Sequence, residues 1–248
     1  MIRPLLLALH LLTRLPVPAL STPPQPRELG WSVLFFPVVG GLIGALLAGM
    51  HAALDWIDPG VLAVLTLTVW VLLPGALHLD GLADLADAWI GAQGDRERTL
   101  AIMKDSRSGP MAIVAVVLLL LTKFAALQVV LAGDALWILL LTPALGRAAI
   151  VALLISTPYV RPAGLGSPYA HYLPRWSCGA SVVVIAAATV ALLGVLGGIV
   201  LAVLSIGLIG LRQSLIGRLG GVTGDTLGAA CELAETIALL IPALLVNG

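Results

Sequence analysis

Asp80, Asp84 and Asp87 stand at i, i+4 and i+7 in the stretch HLDGLADLAD. On a helix that spacing puts three carboxylates on one face, with about 5–6 Å between neighbouring Cβ atoms. Like charges so close repel one another unless a cation holds them together. Hard oxygen donors in such a row suit Mg²⁺, which takes one or two protein carboxylates and completes its shell with water and phosphate. Gly81, beside Asp80, would let a bulky ligand approach the backbone, and His78 abuts the stripe. A second acidic element, GGVTGDTLGAACELAET, covers residues 220–236. There Asp225, Gly228, Glu232 and Glu235 again share one helical face. Thr223 or Asp225 can cap the helix that begins there, and the glycines before it, Gly224 among them, can leave amides free for a phosphate.

Ten of the chain's 26 Asp, Glu, Lys and Arg residues fall within residues 78–110. Arg96, Arg98, Lys104 and Arg107 supply the complement to the acids: carboxylates for a metal, cations for the phosphates it bridges. Taken together, these residues read as a phosphoryl-transfer site. Asp80, Asp84, Asp87, Asp225 and Glu232 are its catalytic candidates, and the same five with Glu235 its metal ligands. The substrate-binding candidates are His78, Arg96, Arg98, Lys104, Arg107, Arg147, Thr223 and Gly224. Asp87, Asp225 and Glu232 stay open as the base toward an attacking hydroxyl.

Each assignment has a plainer rival. Acids at a membrane boundary keep helix ends wet, although that does not require Asp80, Asp84 and Asp87 to share a face. The four cations of the patch, taken alone, would serve equally to anchor a cytoplasmic loop. For Glu232 and Glu235, well inside an apolar run, the rival is an internal bond between helices. Lys123 and Arg147 also interrupt apolar runs; Lys123 can snorkel along its stem, and Arg147 is expected to point into the acidic cavity. His10, His51 and His171 lack ligand spacing, and Cys178 and Cys231 lack a partner motif, so all five read as packing or interfacial residues.

The elements that must carry these groups are written in the composition. Hydrophobic residues make up 60% of the 248 and charged ones 10%, with a mean hydropathy of +1.08. These values lie outside the soluble globular range, and the apolar runs reach the ~20 residues that cross a bilayer core. The expected fold is an all-α, polytopic membrane bundle forming a single domain over 1–248. Spans are expected near 31–54, 60–77, 110–132, 135–157, 180–197, 199–217 and 226–246, about seven in all. Residues 4–20 carry His10 and Arg14 within the apolar run and no A-x-A site, so they read as a retained amphipathic or half-inserted helix. Net charge is zero, which gives no basic field for nucleic acid as a partner.

Lys and Arg alternate from loop to loop. Arg3, Arg14 and Arg27, then the 96–107 patch, then Arg161 and Arg175, then Arg218, occupy every second connection. The loops near Asp55 and Asp58, near Asp134 and at Gly197–Gly198 carry none. The positive-inside rule then puts the N-terminus and all the polar segments on the cytoplasmic face.

HLDGLAD followed by Asp87, RERTLAIMKDSRSGP, the early RLPVP at 14–18, and GGVTGDTLGAACELAE together resemble the cobalamin synthase family, the adenosylcobinamide-GDP ribazoletransferases. The resemblance runs nearly end to end. It implies an Mg²⁺-dependent enzyme of the cytoplasmic (inner) membrane that joins adenosylcobinamide-GDP to α-ribazole or its 5′-phosphate and releases GMP. Its partners would be those substrates and membrane lipid, with a homo-oligomer allowed. The acid pattern is also similar to that of the CDP-alcohol phosphotransferases. It departs from their D-x-x-D-G-x-x-A-R, since Asp84 and Leu85 fill the A-R positions relative to Gly81. A lipid-forming transferase is therefore the second enzymatic reading. An ion-coupled transporter, which also uses intramembrane acids, is the reading from another class.

Overall fold

Backbone amides in an apolar solvent must be paired within their own segment, and this chain answers with helices throughout. The computed structural model describes residues 2–18, 20, 22–105, 107–133 and 136–245. Asp134, expected in a loop free of basic residues, lies outside them. A short apolar helix, α1 (Ile2–Leu12), precedes α2 (Pro26–Ser32), which runs through a 3₁₀ turn into α3 (Phe36–Ala53). Then come α4 (Pro59–Leu72), α5 (Leu77–Gly91), α6 (Arg96–Ile102), α7 (Pro110–Leu131), α8 (Leu136–Ser156) and the single turn α9 (Ser167–His171). The chain closes with α10 (Arg175–Leu193), α11 (Val195–Leu219) and α12 (Gly224–Leu245).

Six of these segments are long and apolar enough to cross a membrane: Pro26–Ala53, α7, α8, α10, α11 and α12. A seventh crossing exists only if α4 and α5 count as one, and they are bent by 83° at the break between them. This corrects the continuous span expected over 60–77. The apolar run is broken at Pro74, Gly75 and Ala76, where Gly75 and Ala76 both take left-handed backbone angles (φ 68° and 57°). The Arg14 amide donates to Leu73 O at 2.7 Å, and its side chain packs so tightly on Gly75 that a Cβ there would stand 2.3 Å from Arg14 Nε. The RLPVP segment thus braces the bend that aims the acidic helix. A second correction concerns the α10–α11 turn, which falls at Gly194 (φ 59°) and not at Gly197–Gly198.

The centre of the bundle is α8, of which little reaches the surface, packed between α3 and α12. α12 lies in turn against α5 and α7. α10 and α11 form a peripheral hairpin whose outer residues remain exposed, as suits a lipid-facing pair. Trp56, between α3 and α4, and Trp176, in the first turn of α10, are 78% and 94% exposed, as suits indole rings at a membrane interface.

Candidate active site

α5 and α12, about 140 residues apart in sequence, cross at their N-terminal turns. A Cβ built on Gly81 would lie 2.5 Å from Asp225 O, and one on Gly228 would lie 3.3 Å from the backbone of His78. The room that Gly81 provides is therefore taken by a helix, not by a ligand as its place beside Asp80 suggests. The two acidic elements do meet, and they meet through shape: glycine faces let two backbones touch.

Local structure fixes the start of α12. Thr223 Oγ1 accepts from the Thr226 amide at 3.3 Å, and Thr226 Oγ1 accepts from the Thr223 amide at 2.9 Å. Two orphan donors at the helix end are thereby satisfied reciprocally. Thr223, fully buried, is the cap. Just before it, Val222 pairs with the segment after α8 as a short parallel bridge, Val160 N to Val222 O at 2.9 Å and Val222 N to Pro158 O at 2.8 Å. That bridge delivers Arg161, whose Nη1 donates to Asp225 Oδ2 at 2.7 Å. Arg161 Nε and Nη2 are buried and have no partner among the described residues. Sequence reasoning used Arg161 only to orient a loop. Its pairing with an acid 64 positions away leaves no local signal.

Asp80 is exposed at the crossing, Asp84 is half-buried one turn along, and Asp80, Asp225 and Asp87 all act on the Asp84 charge, opposed by Arg161. Asp80 and Asp225 line a cavity of about 460 Å³ that also takes in His78, Gly224 and Gly228. It opens among the ends of α1, α5, α8 and α12 beside the 159–169 segment. His78 is buried and its Nε2 has no partner among the described residues. Burial raises the Tyr159 phenol above its usual pKa, so it is neutral at pH 7.

The third acid of the stripe is engaged elsewhere. Asp87 accepts from the Gly109 amide and from the Ala112 amide at 2.8 Å, so its two oxygens cap the N-terminus of α7. Glu232 and Glu235 are also held. Lys123 Nζ donates to Glu232 Oε2 at 2.7 Å and to Glu235 Oε2 at 2.6 Å, while Arg147 Nη1 donates to Glu235 Oε1. All four side chains are at most 10% exposed, and the Lys123 ammonium sits 4.9 Å from the Trp70 ring centroid. Two acids and two cations make a neutral quartet joining α7, α8 and α12. A metal role for either glutamate would require displacing its cation. Arg147 faces Glu235 rather than the cavity, to whose lining it does not contribute.

The basic patch stands apart from the cavity. Arg96 Nε donates to Leu219 O at 2.8 Å, closing the C-terminus of α11. Arg98 and Lys104 are exposed. Arg107 pairs with Asp105 at 2.7 Å, a contact that holds the Asp105 carboxyl down at about 2. Among the described residues no three His, Cys, Asp or Glu side chains are gathered as a ready metal cage.

The chain matches the family described as CobS, cobalamin-5-phosphate synthase, over residues 4–243. It is 50% identical to the adenosylcobinamide-GDP ribazoletransferase of Pseudomonas syringae pv. syringae (strain B728a), covering 98% of this chain and 99% of that protein. The protein of the same description from Pseudomonas aeruginosa (strain UCBPP-PA14) is 48% identical, with 98% of each chain covered. That of Stutzerimonas stutzeri (strain A1501) is 49% identical, with 96% of each covered. No solved structure matches significantly.

Proposed function

Because the chain belongs to the cobalamin-5-phosphate synthase family, we infer that it is an adenosylcobinamide-GDP ribazoletransferase, the enzyme of the final step of nucleotide loop assembly. In that reaction a hydroxyl of α-ribazole, or of its 5′-phosphate, attacks the phosphorus bearing the cobinamide alcohol. One P–O bond forms, the P–O bond to GMP breaks, and the hydroxyl proton passes to a base. Displacement at a pyrophosphate is accelerated mainly by positioning and by stabilising charge.

The observation that carries this reading is the crossing of α5 and α12, which sets Asp80 and Asp225 on one cavity wall, within electrostatic reach of Asp84, with Arg161 paired to Asp225. Asp80 or Asp225, both on the cavity wall, would take the hydroxyl proton. Arg161, the guanidinium beside Asp225 and 18% exposed, would bind a phosphate oxygen and hold the pyrophosphate in line. One or two carboxylates with water and phosphate oxygens suit Mg²⁺, and Asp80, Asp84 and Asp225 are the residues from which they would come. When bound, the ion would neutralise charge on the pyrophosphate and on departing GMP. Asp87, Glu232 and Glu235 serve the scaffold in this reading, through the helix cap and the buried quartet.

The site is assigned to the cytoplasmic face of the cytoplasmic membrane. The cavity adjoins the connection that carries Arg161 and the turn that follows Arg218 at the end of α11, the basic side in the positive-inside pattern. No observation favours a lipid-forming transferase or a transporter. The deciding experiment supplies purified protein with adenosylcobinamide-GDP, α-ribazole and Mg²⁺ and measures GMP and the joined corrinoid by mass spectrometry. Folded protein that yields neither product overturns the assignment.

A further inference from the structure

The 460 Å³ cavity has its two carboxylates, Asp80 and Asp225, on adjoining turns where α5 and α12 cross, and most of the remaining wall is apolar. Leu12, Phe36, Ile150 and Leu154 contribute aliphatic and aromatic surface, all at most 4% exposed. Tyr159 and Tyr169 add two more rings, Tyr169 standing 6.3 Å from Phe36 between centroids. Such a volume holds a molecule of drug size and no more.

Three substrate parts compete for it under the function inferred above, on which this step rests. The corrin macrocycle, with its fringe of amides and its adenosyl group, is too large. Guanine has a hydrogen-bonding edge of several donors and acceptors, and an apolar wall would leave them desolvated and unpaired. The dimethylbenzimidazole of α-ribazole is flat and carries two methyl groups and one free ring nitrogen. Its polar part is the ribose. We propose that this cavity is the acceptor subsite: it binds the benzimidazole ring of α-ribazole against Phe36, Ile150, Leu154 and the two tyrosines, and turns the ribose toward Asp80 and Asp225.

The placement follows the chemistry. With the ring against the apolar wall, the attacking hydroxyl lies at the carboxylates, where a proton can be accepted. Adenosylcobinamide-GDP then approaches from outside, presenting only its pyrophosphate to Arg161 and the acids. The apolar wall makes base selection a matter of shape, worth about ten- to two-hundred-fold per methylene-sized change.

The test uses full-length protein in nanodiscs with two variants of opposite sense. Leu154→Phe narrows the cavity and is expected to raise KM for α-ribazole about tenfold, with KM for adenosylcobinamide-GDP changed by less than about twofold. Leu154→Ala widens it and is expected to raise the use of a naphthimidazole riboside relative to α-ribazole, a gain that misfolding cannot produce. Equilibrium binding of labelled α-ribazole, without the second substrate, should weaken in parallel in Leu154→Phe. Equal shifts in both KM values, or no change in base preference in Leu154→Ala, would overturn the subsite. So would loss of a co-purified lipid from Leu154→Phe with α-ribazole binding intact, since the cavity would then hold an acyl chain. Failure of the wild type to release GMP would instead strike at the inferred reaction, because α-ribazole binding is read without turnover.

Discussion

Gly81 on α5 lies directly under the backbone of Asp225 on α12, so that a single added methyl group would stand 2.5 Å from the Asp225 carbonyl oxygen. Neither backbone can yield easily, because α12 is also packed on α7 and α8. Gly81→Ala should therefore part the two acidic helices, at a cost of about 1–3 kcal/mol from overpacking. The expected result is a lower melting temperature in detergent and at least about tenfold slower GMP release. Wild-type rates in Gly81→Ala would show that the crossing does not position the reacting groups.

Asp84 and Asp87 share a helix face but differ in what they touch, and substitution should separate them. Asp87→Ala removes the cap of α7 and should cost about 0.5–2 kcal/mol of stability, leaving the Mg²⁺ concentration for half-maximal rate unchanged. Asp84→Asn should spare stability, cut turnover and raise that Mg²⁺ requirement. Activity titrated against Mg²⁺, paired with thermal melts, reads both outcomes. If Asp87→Ala alone shifts the Mg²⁺ dependence, the assignment of Asp87 to the cap is wrong.

The buried quartet should behave as a unit. Glu235→Gln leaves Lys123 and Arg147 short of charge in a dry interior, and breaking such a network commonly costs about 3–5 kcal/mol. Lys123→Met paired with Glu232→Gln removes one charge of each sign. That pair is expected to be less damaging than the sum of its single changes. A double-mutant cycle from unfolding midpoints measures the coupling; additive effects would mean that the carboxylates do not rely on Lys123.

Arg161 should act on the donor substrate. Arg161→Gln is expected to raise KM for adenosylcobinamide-GDP, with Arg161→Lys restoring part of the loss because charge returns without the planar fork. The KM for α-ribazole should move less. A variant that lowers only protein yield, with both KM values intact, would reduce Arg161 to a brace for Asp225.

The sequence by itself determined the material of this protein and much of its chemistry. Apolar runs of bilayer length allow only helices, so the bundle followed from composition. The i, i+4, i+7 spacing put the aspartates on one face, and Thr223 and Asp225 at the head of their helix both offered a cap, of which the structure uses Thr223. The motif pair HLDGLAD and TGDTLGA pointed to the family that the full-length match bears out. Where the run bends was also signalled, by Pro74–Gly75, a turn dipeptide; hydropathy alone carried the expected span through it. What only the tertiary structure decided is which acids remain available. Lys123 reaches Glu232 and Glu235 across 109 and 112 residues, Gly109 and Ala112 take Asp87, and Arg161 comes to Asp225 on a bridge of two hydrogen bonds. Periodicity assigns a side chain to a face of its own helix. The charge that neutralises it comes from another helix, and no local pattern encodes which one will be opposite.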